Sequence, residues 1–163
     1  MNEAFASAHT WFLKSYAQGP NGDLVIHVVE GIKGTERLPV EVVRGTVLGH
    51  YFPVTIEPHS RCATVHFSDA RAVFAFAESY DTEDPALRMS GTGLARKAEA
   101  SSLREFVRTR TTALEDFRGE FSEWVIWTED QVLQVFAGSP PEIQFNDRAP
   151  NLSIERGNTW SAS

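Results

Sequence analysis

Four short apolar segments between Trp11 and Tyr80, each closed by its own cluster of turn residues, point to a β-rich body. Thr10 to Ala17 is aromatic and apolar and runs into Gly19-Pro20-Asn21-Gly22-Asp23, a dense turn signal. Leu24 to Val29 follows, apolar apart from His27, and the two segments read as a hairpin. A helix competes for the first segment, since Phe5, Ala8, Phe12 and Ser15 also fit helical spacing. Trp, Phe and Tyr on a half-buried pleat favour a strand from about Thr10. Gly31 to Val43 reads as a loop with a short edge strand, because Pro39 cannot donate to a ladder. Thr46 to Glu57 reads as a strand interrupted at Pro53. Cys62 to Phe67 and Ala72 to Tyr80 flank Ser68-Asp69-Ala70-Arg71 and are expected to form another hairpin.

Asp81 to Gly93 is a polar loop carrying Pro85, Gly91 and Gly93, and Leu94 to Ala100 adds a strand. Ser102-Leu103-Arg104-Glu105 has the pattern of a capping box, in which the Ser hydroxyl accepts from the third helical N–H while the Glu reaches back. Leu103, Phe106, Val107 and Leu114 then recur near the helical period, so one main helix is expected from about Leu103 to Phe117, ended by Gly119. Trp124 to Trp127 and Gln131 to Ala137 form a hairpin about Thr128-Glu129-Asp130, and Ser139-Pro140-Pro141 leads into a last strand, Glu142 to Phe145. The expected fold is α+β: a strongly bent antiparallel sheet or partial β-barrel of about seven to eight strands around that helix, in one domain over 1–145. Residues 146–163 lack apolar periodicity and read as a flexible tail.

A chain of 163 residues can bury a core without metal or disulfide help, and its single cysteine, Cys62, suits a reducing, cytoplasmic setting. The first residues lack a basic segment followed by an apolar one, so no secretory signal is expected. No apolar run approaches the roughly 20 residues needed to span a bilayer. The net charge of −7 opposes general nucleic-acid binding, which needs clustered Lys and Arg. That charge is uneven. Arg96 to Arg110 carries a local excess of basic residues, whereas Glu115 to Asp130 holds six acidic residues against Arg118 alone.

The acidic stretch also holds aromatics. Glu115, Asp116, Glu120, Glu123, Trp124, Trp127, Glu129 and Asp130 are therefore candidates for an acidic and aromatic surface that would take a basic protein partner. A different candidate is a small-molecule cavity. Glu78 follows Phe74 and Phe76 on one strand face, where a carboxylate needs a partner, and His27 and Tyr51 could line the same space. His59, Cys62 and His66 have metal-ligating chemistry, but alternate residues of a strand lie nearly 7 Å apart, so Cys62 and His66 would be about twice that distance from each other. No metal or cofactor is expected. No nucleophile elbow, phosphate-binding loop or dinucleotide fingerprint occurs, and a buried strand thiol is usually inert, so no catalytic residue is assigned.

Phe67, Glu78-Ser79-Tyr80, Ser102-Leu103, Val132-Leu133-Gln134-Val135 and Pro140-Pro141-Glu142-Ile143 together resemble a pattern in a group of small uncharacterised bacterial proteins. In these a strand ending in Glu-Ser-Tyr precedes a loop, a Ser-capped helix and a final hairpin. The resemblance runs from Cys62 to Phe145 and brings no activity with it. Size and charge also make the chain similar to immunity proteins, which implies a bacterial binding protein that inhibits a toxin.

Overall fold

The computed structural model describes residues 10–43, 45–81, 83–113 and 119–146. Strands β1 (Trp11–Gln18) and β2 (Leu24–Glu30) form the expected hairpin, turning through Asn21 and Gly22, both at positive φ. A strand begins at Trp11, so the helical alternative fails there; its other positions, Phe5 and Ala8, lie outside the described residues. Two short ribbons follow. One joins β3 (Ile32–Lys33) to β6 (Val54–Thr55); the other joins β4 (Leu38–Val43) to β5 (Thr46–Tyr51). The second ribbon hydrogen-bonds to neither large sheet and leaves Leu38, Val40, Val47, Leu48 and Tyr51 exposed.

The remaining strands build two antiparallel sheets. In the first, β7 (Cys62–Phe67) pairs with β2, and β13 (Glu142–Asn146) pairs with β7, giving the order β1-β2-β7-β13. In the second, β8 (Ala70–Ala77), β9 (Arg88–Ser90), β10 (Ala95–Ala100), β11 (Ser122–Trp127) and β12 (Gln131–Ala137) take the order β8-β12-β11-β10-β9. Leu24, Ile26, Val28, Val65 and Phe67 of the first sheet share one buried cluster with Ile126, Leu133 and Val135 of the second. The sheets therefore pack face to face, and neither is closed into a barrel. The single bent sheet expected from the sequence is two sheets, because β11 and β12 are apolar on both faces and need cover on each side.

The step from β7 to β8 is the main departure in topology. Both strands lie close to where they were expected, but they do not pair with each other. Phe67 and Ala70 on either side of Ser68-Asp69 both enter the core, so the chain turns a corner from one sheet to the other. Arg71, with a side chain only 2% exposed, holds that corner by donating to Asp69 and to the Gly119 carbonyl at 2.9 Å. Gly138 donates to the Asp69 carbonyl, and a Cβ there would collide with the Asp69 carboxylate. Strand β8 stops at Ala77; Glu78–Tyr80 forms a 3-10 turn rather than the end of the strand.

Helix α1 (Ser102–Arg110) lies over the outer face of the second sheet, where Phe106 meets Phe74 edge-on and Phe74 meets Phe136 likewise. Its cap is one residue earlier than expected. Ser101 accepts from the Arg104 N–H at 2.9 Å, while Ser102 bonds through N–H and hydroxyl to Asp84. The helix is shorter than expected: it ends at Arg110, with Thr111 extended as its C-cap, because the Thr111 hydroxyl donates to the Val107 carbonyl and accepts from the Ala113 N–H in place of a further helical turn. The rest of the expected span, 114–117, lies outside the described residues, as does the tail over 147–163.

Between helix and sheet sits Glu123, with no exposed surface. Ser101 Oγ donates to its carboxylate at 2.7 Å, Gln134 Nε2 at 2.9 Å, and Arg104 Nε lies 3.5 Å away. Burying a carboxylate is tolerable only when such partners replace water. The Ser101 hydroxyl that caps the helix thus also touches the sheet. Glu123→Ala, which strips this network of its acceptor and leaves a void, should destabilise the fold by about 3 kcal/mol in urea titrations. A loss below about 1 kcal/mol would show that the network does not hold the helix to the sheet.

Candidate functional site

Among the described residues no helix covers the outer face of the first sheet. In its place the segment linking β6 to β7 folds over the sheet and leaves a cleft of about 160 Å³. The floor follows from strand alternation. With Ile26 and Val28 turned to the core, His27 and Val29 face outward; with Ala63 and Val65 inward, Cys62 and Thr64 face outward. Register then sets Val29 opposite Cys62 and His27 opposite Thr64. His27 Nδ1 and Thr64 Oγ1 are 3.1 Å apart across the two strands.

One side of the cleft is set by a β-bulge. Leu13 pairs with Val28 and Ser15 with His27, so Lys14 is the extra residue, and a bulge of this kind re-aims the side chain it carries. Lys14 lines the cleft and makes no ion pair among the described residues. The other wall is the roof segment with Ile56, Glu57, Pro58 and Ser60. Its turn is closed locally: the Glu57 N–H donates to Ser60 Oγ at 2.9 Å and the Ser60 N–H to the Glu57 carbonyl at 2.9 Å. Thr55 Oγ1 donates to the Glu57 carboxylate at 2.7 Å.

The roof is fastened to the sheet by Arg61 and Glu30. Arg61 Nε and Nη2 donate side by side to the two Glu30 oxygens at 2.8 and 2.7 Å, and the Glu30 N–H donates to the Arg61 carbonyl at 2.8 Å. This is the planar, bidentate pairing that suits guanidinium and carboxylate. Next to it Gly31 leaves no space: a Cβ there would lie 2.6 Å from Val54 and 2.8 Å from Phe12. Burial raises the pKa of the Cys62 thiol above its ordinary value, with Lys14 opposing, so the thiol stays protonated at neutral pH.

Of the three residues expected to share a cavity, the structure places His27 in this cleft and the other two elsewhere. Tyr51 is exposed on the β4–β5 ribbon; Glu78 lies in the turn after β8, its N–H donating to the Asp130 carbonyl. The acidic and aromatic set is also divided. Glu123 is internal, contrary to its expected place on a surface, and Trp124 packs against the sandwich core. Asp130 accepts from the Leu13 N–H and the Thr128 hydroxyl, while the Glu129 N–H donates to the Trp11 carbonyl, so this turn covers the free edge of β1. Glu120, Trp127 and Glu129 are exposed, and Glu115 and Asp116 lie outside the described residues.

His66 bonds to Asp23 rather than facing His59 and Cys62, and no metal-ligating group of three occurs among the described residues. Among those residues no helix is long and apolar enough to cross a membrane. Lys14 and the roof residues were not singled out from the sequence. The bulge that aims Lys14 leaves no residue signature, and the first roof residues, Ile56 and Glu57, were expected at the end of a strand, which instead stops at Thr55.

The Arg61 guanidinium holds the Glu30 carboxyl below the usual glutamate range despite its burial. A depressed pKa contributes stability above the ordinary value of about 4.3, and that contribution is lost as pH falls through the lowered one. Glu30→Gln should therefore cost about 2 kcal/mol at pH 7, and its difference from the parent should shrink as pH drops below about 4. Denaturation at a series of pH values reads this directly, and a constant difference would contradict the pairing. The chain matches no known protein family, no curated protein and no solved structure.

Proposed function

We propose that the protein is a non-catalytic binding protein that holds a small organic molecule in the cleft over the four-stranded sheet. The observation that carries this reading is the cleft itself, in which an apolar wall of Val29, Ile56 and Pro58 meets the polar groups of Lys14, His27 and Thr64. Ligand sites combine a mostly apolar lining with a few polar groups in this way. A space of about 150 Å³ accommodates a body the size of one benzene ring, so the occupant is a single ring or a short branched chain. The competing reading, an inhibitor that docks a basic protein on acidic and aromatic residues, has less support. Glu123 and Trp124 are committed to packing, and Asp130 to the edge of β1.

A fragment screen followed by amide chemical-shift mapping tests the proposal. Binders should move the resonances of His27, Thr64, Ile56 and Ser60 together. Thr64→Trp, which fills the cleft from a half-buried outward position, should abolish those shifts without lowering the melting temperature by more than a few degrees. Shifts confined to other surfaces, or persisting unchanged in the filled variant, would overturn the assignment.

A further inference from the structure

We infer that the cleft selects a small carboxylate with an apolar body, the acid group seated at Lys14 and His27. This rests on the cleft being a ligand site and adds the charge and orientation of what it takes.

The lining is sorted by polarity along the strands. In the row of Val29 and Cys62 the floor is apolar or a protonated thiol, and the roof contributes the apolar side chains of Ile56 and Pro58 to the same cleft. In the row of His27 and Thr64 it is polar, and the bulge sets Lys14 between the partners of Val28 and His27, from where it lines the cleft. Glu57 is the acidic residue of the lining, and its carboxylate already accepts from Thr55 Oγ1. Lys14 has no such partner among the described residues.

The imidazole adds to this preference. When the Thr64 hydroxyl donates to Nδ1, the neutral ring carries its proton on Nε2 and presents a donor. An ammonium and an N–H donor in the lining of one cleft suit an anionic oxygen pair and disfavour a cation. A carboxylate also leaves the rest of a one-ring or branched-chain molecule free to lie against Val29, Ile56 and Pro58, the part of the cleft that offers only dispersion and hydrophobic contact.

The experiment uses matched acids and amides: benzoate with benzamide, and isovalerate with isovaleramide, at constant ionic strength, followed by amide shifts of the full chain. Both acids should bind at the cleft about tenfold more tightly than their amides, as one partly exposed charge-assisted hydrogen bond implies. Lys14→Ala should remove that preference, and Lys14→Arg should keep most of it; Lys14 is exposed, so neither change threatens the fold. Acids and amides binding the cleft equally well would overturn the carboxylate assignment and leave the cleft reading standing. Acids that bind with undiminished preference in Lys14→Ala would overturn the seat at Lys14. Failure of all four probes to move any cleft resonance would count against both.

Discussion

A carboxylate sealed from water between a helix and a sheet constrains the whole second half of the molecule. Glu123 has no exposed surface, and its charge is supported by Ser101, Gln134 and Arg104. Two come from the start of the helix, its cap and its first turn, and the third from a neighbouring strand. Because Ser101 also accepts from the Arg104 N–H, the helix start is fixed in position and direction by the group it satisfies. With the start fixed, Phe106 and Val107 fall over the sheet, and Phe74 and Phe136 are covered. Removing one partner would leave the sealed carboxylate short of a hydrogen bond that no water replaces, so the cost of each loss is high.

The first sheet solves the same covering problem by other means. Among the described residues a loop covers it, and a loop has its own backbone groups to satisfy and no continuous apolar stripe. The roof meets that need with a tight turn between Glu57 and Ser60 and with the two-pronged Arg61–Glu30 contact. What it does not do is fill the space beneath it. The cleft is thus a consequence of covering one sheet tightly and the other loosely, and its polar groups are those that strand alternation turns outward at that point.

Most strands were legible in the sequence, since alternation and turn residues are local signals; β1, β2, β7, β11, β12 and β13 lie close to where those signals put them. Pairing was less so. Ser68-Asp69 has the composition of a hairpin turn and serves as a corner, because β2 and β13 take both edges of β7. Nothing in the local residues announces that competition. The cap was displaced by one residue because Ser101 and Ser102 are chemically equivalent, and only the positions of Glu123 and Asp84 distinguish them. Charge was misleading for the same reason: a Glu among Glu and Asp looks solvated until tertiary contacts bury it. At the cleft, His27 stood out as the polar break in an apolar run, whereas Lys14 depends on a one-residue register shift that composition does not encode.

The β4–β5 ribbon stands apart from this economy of covering. Leu48 is 65% exposed and Tyr51 56%, and both large sheets are complete without the ribbon's strands. Among the described residues, opening it therefore uncovers little new apolar surface and breaks its own ladder alone, so the free energy of local opening is far below that of the sandwich. Its amides belong to a separate cooperative unit, one that can exchange with solvent many times over while the core and the cleft remain closed.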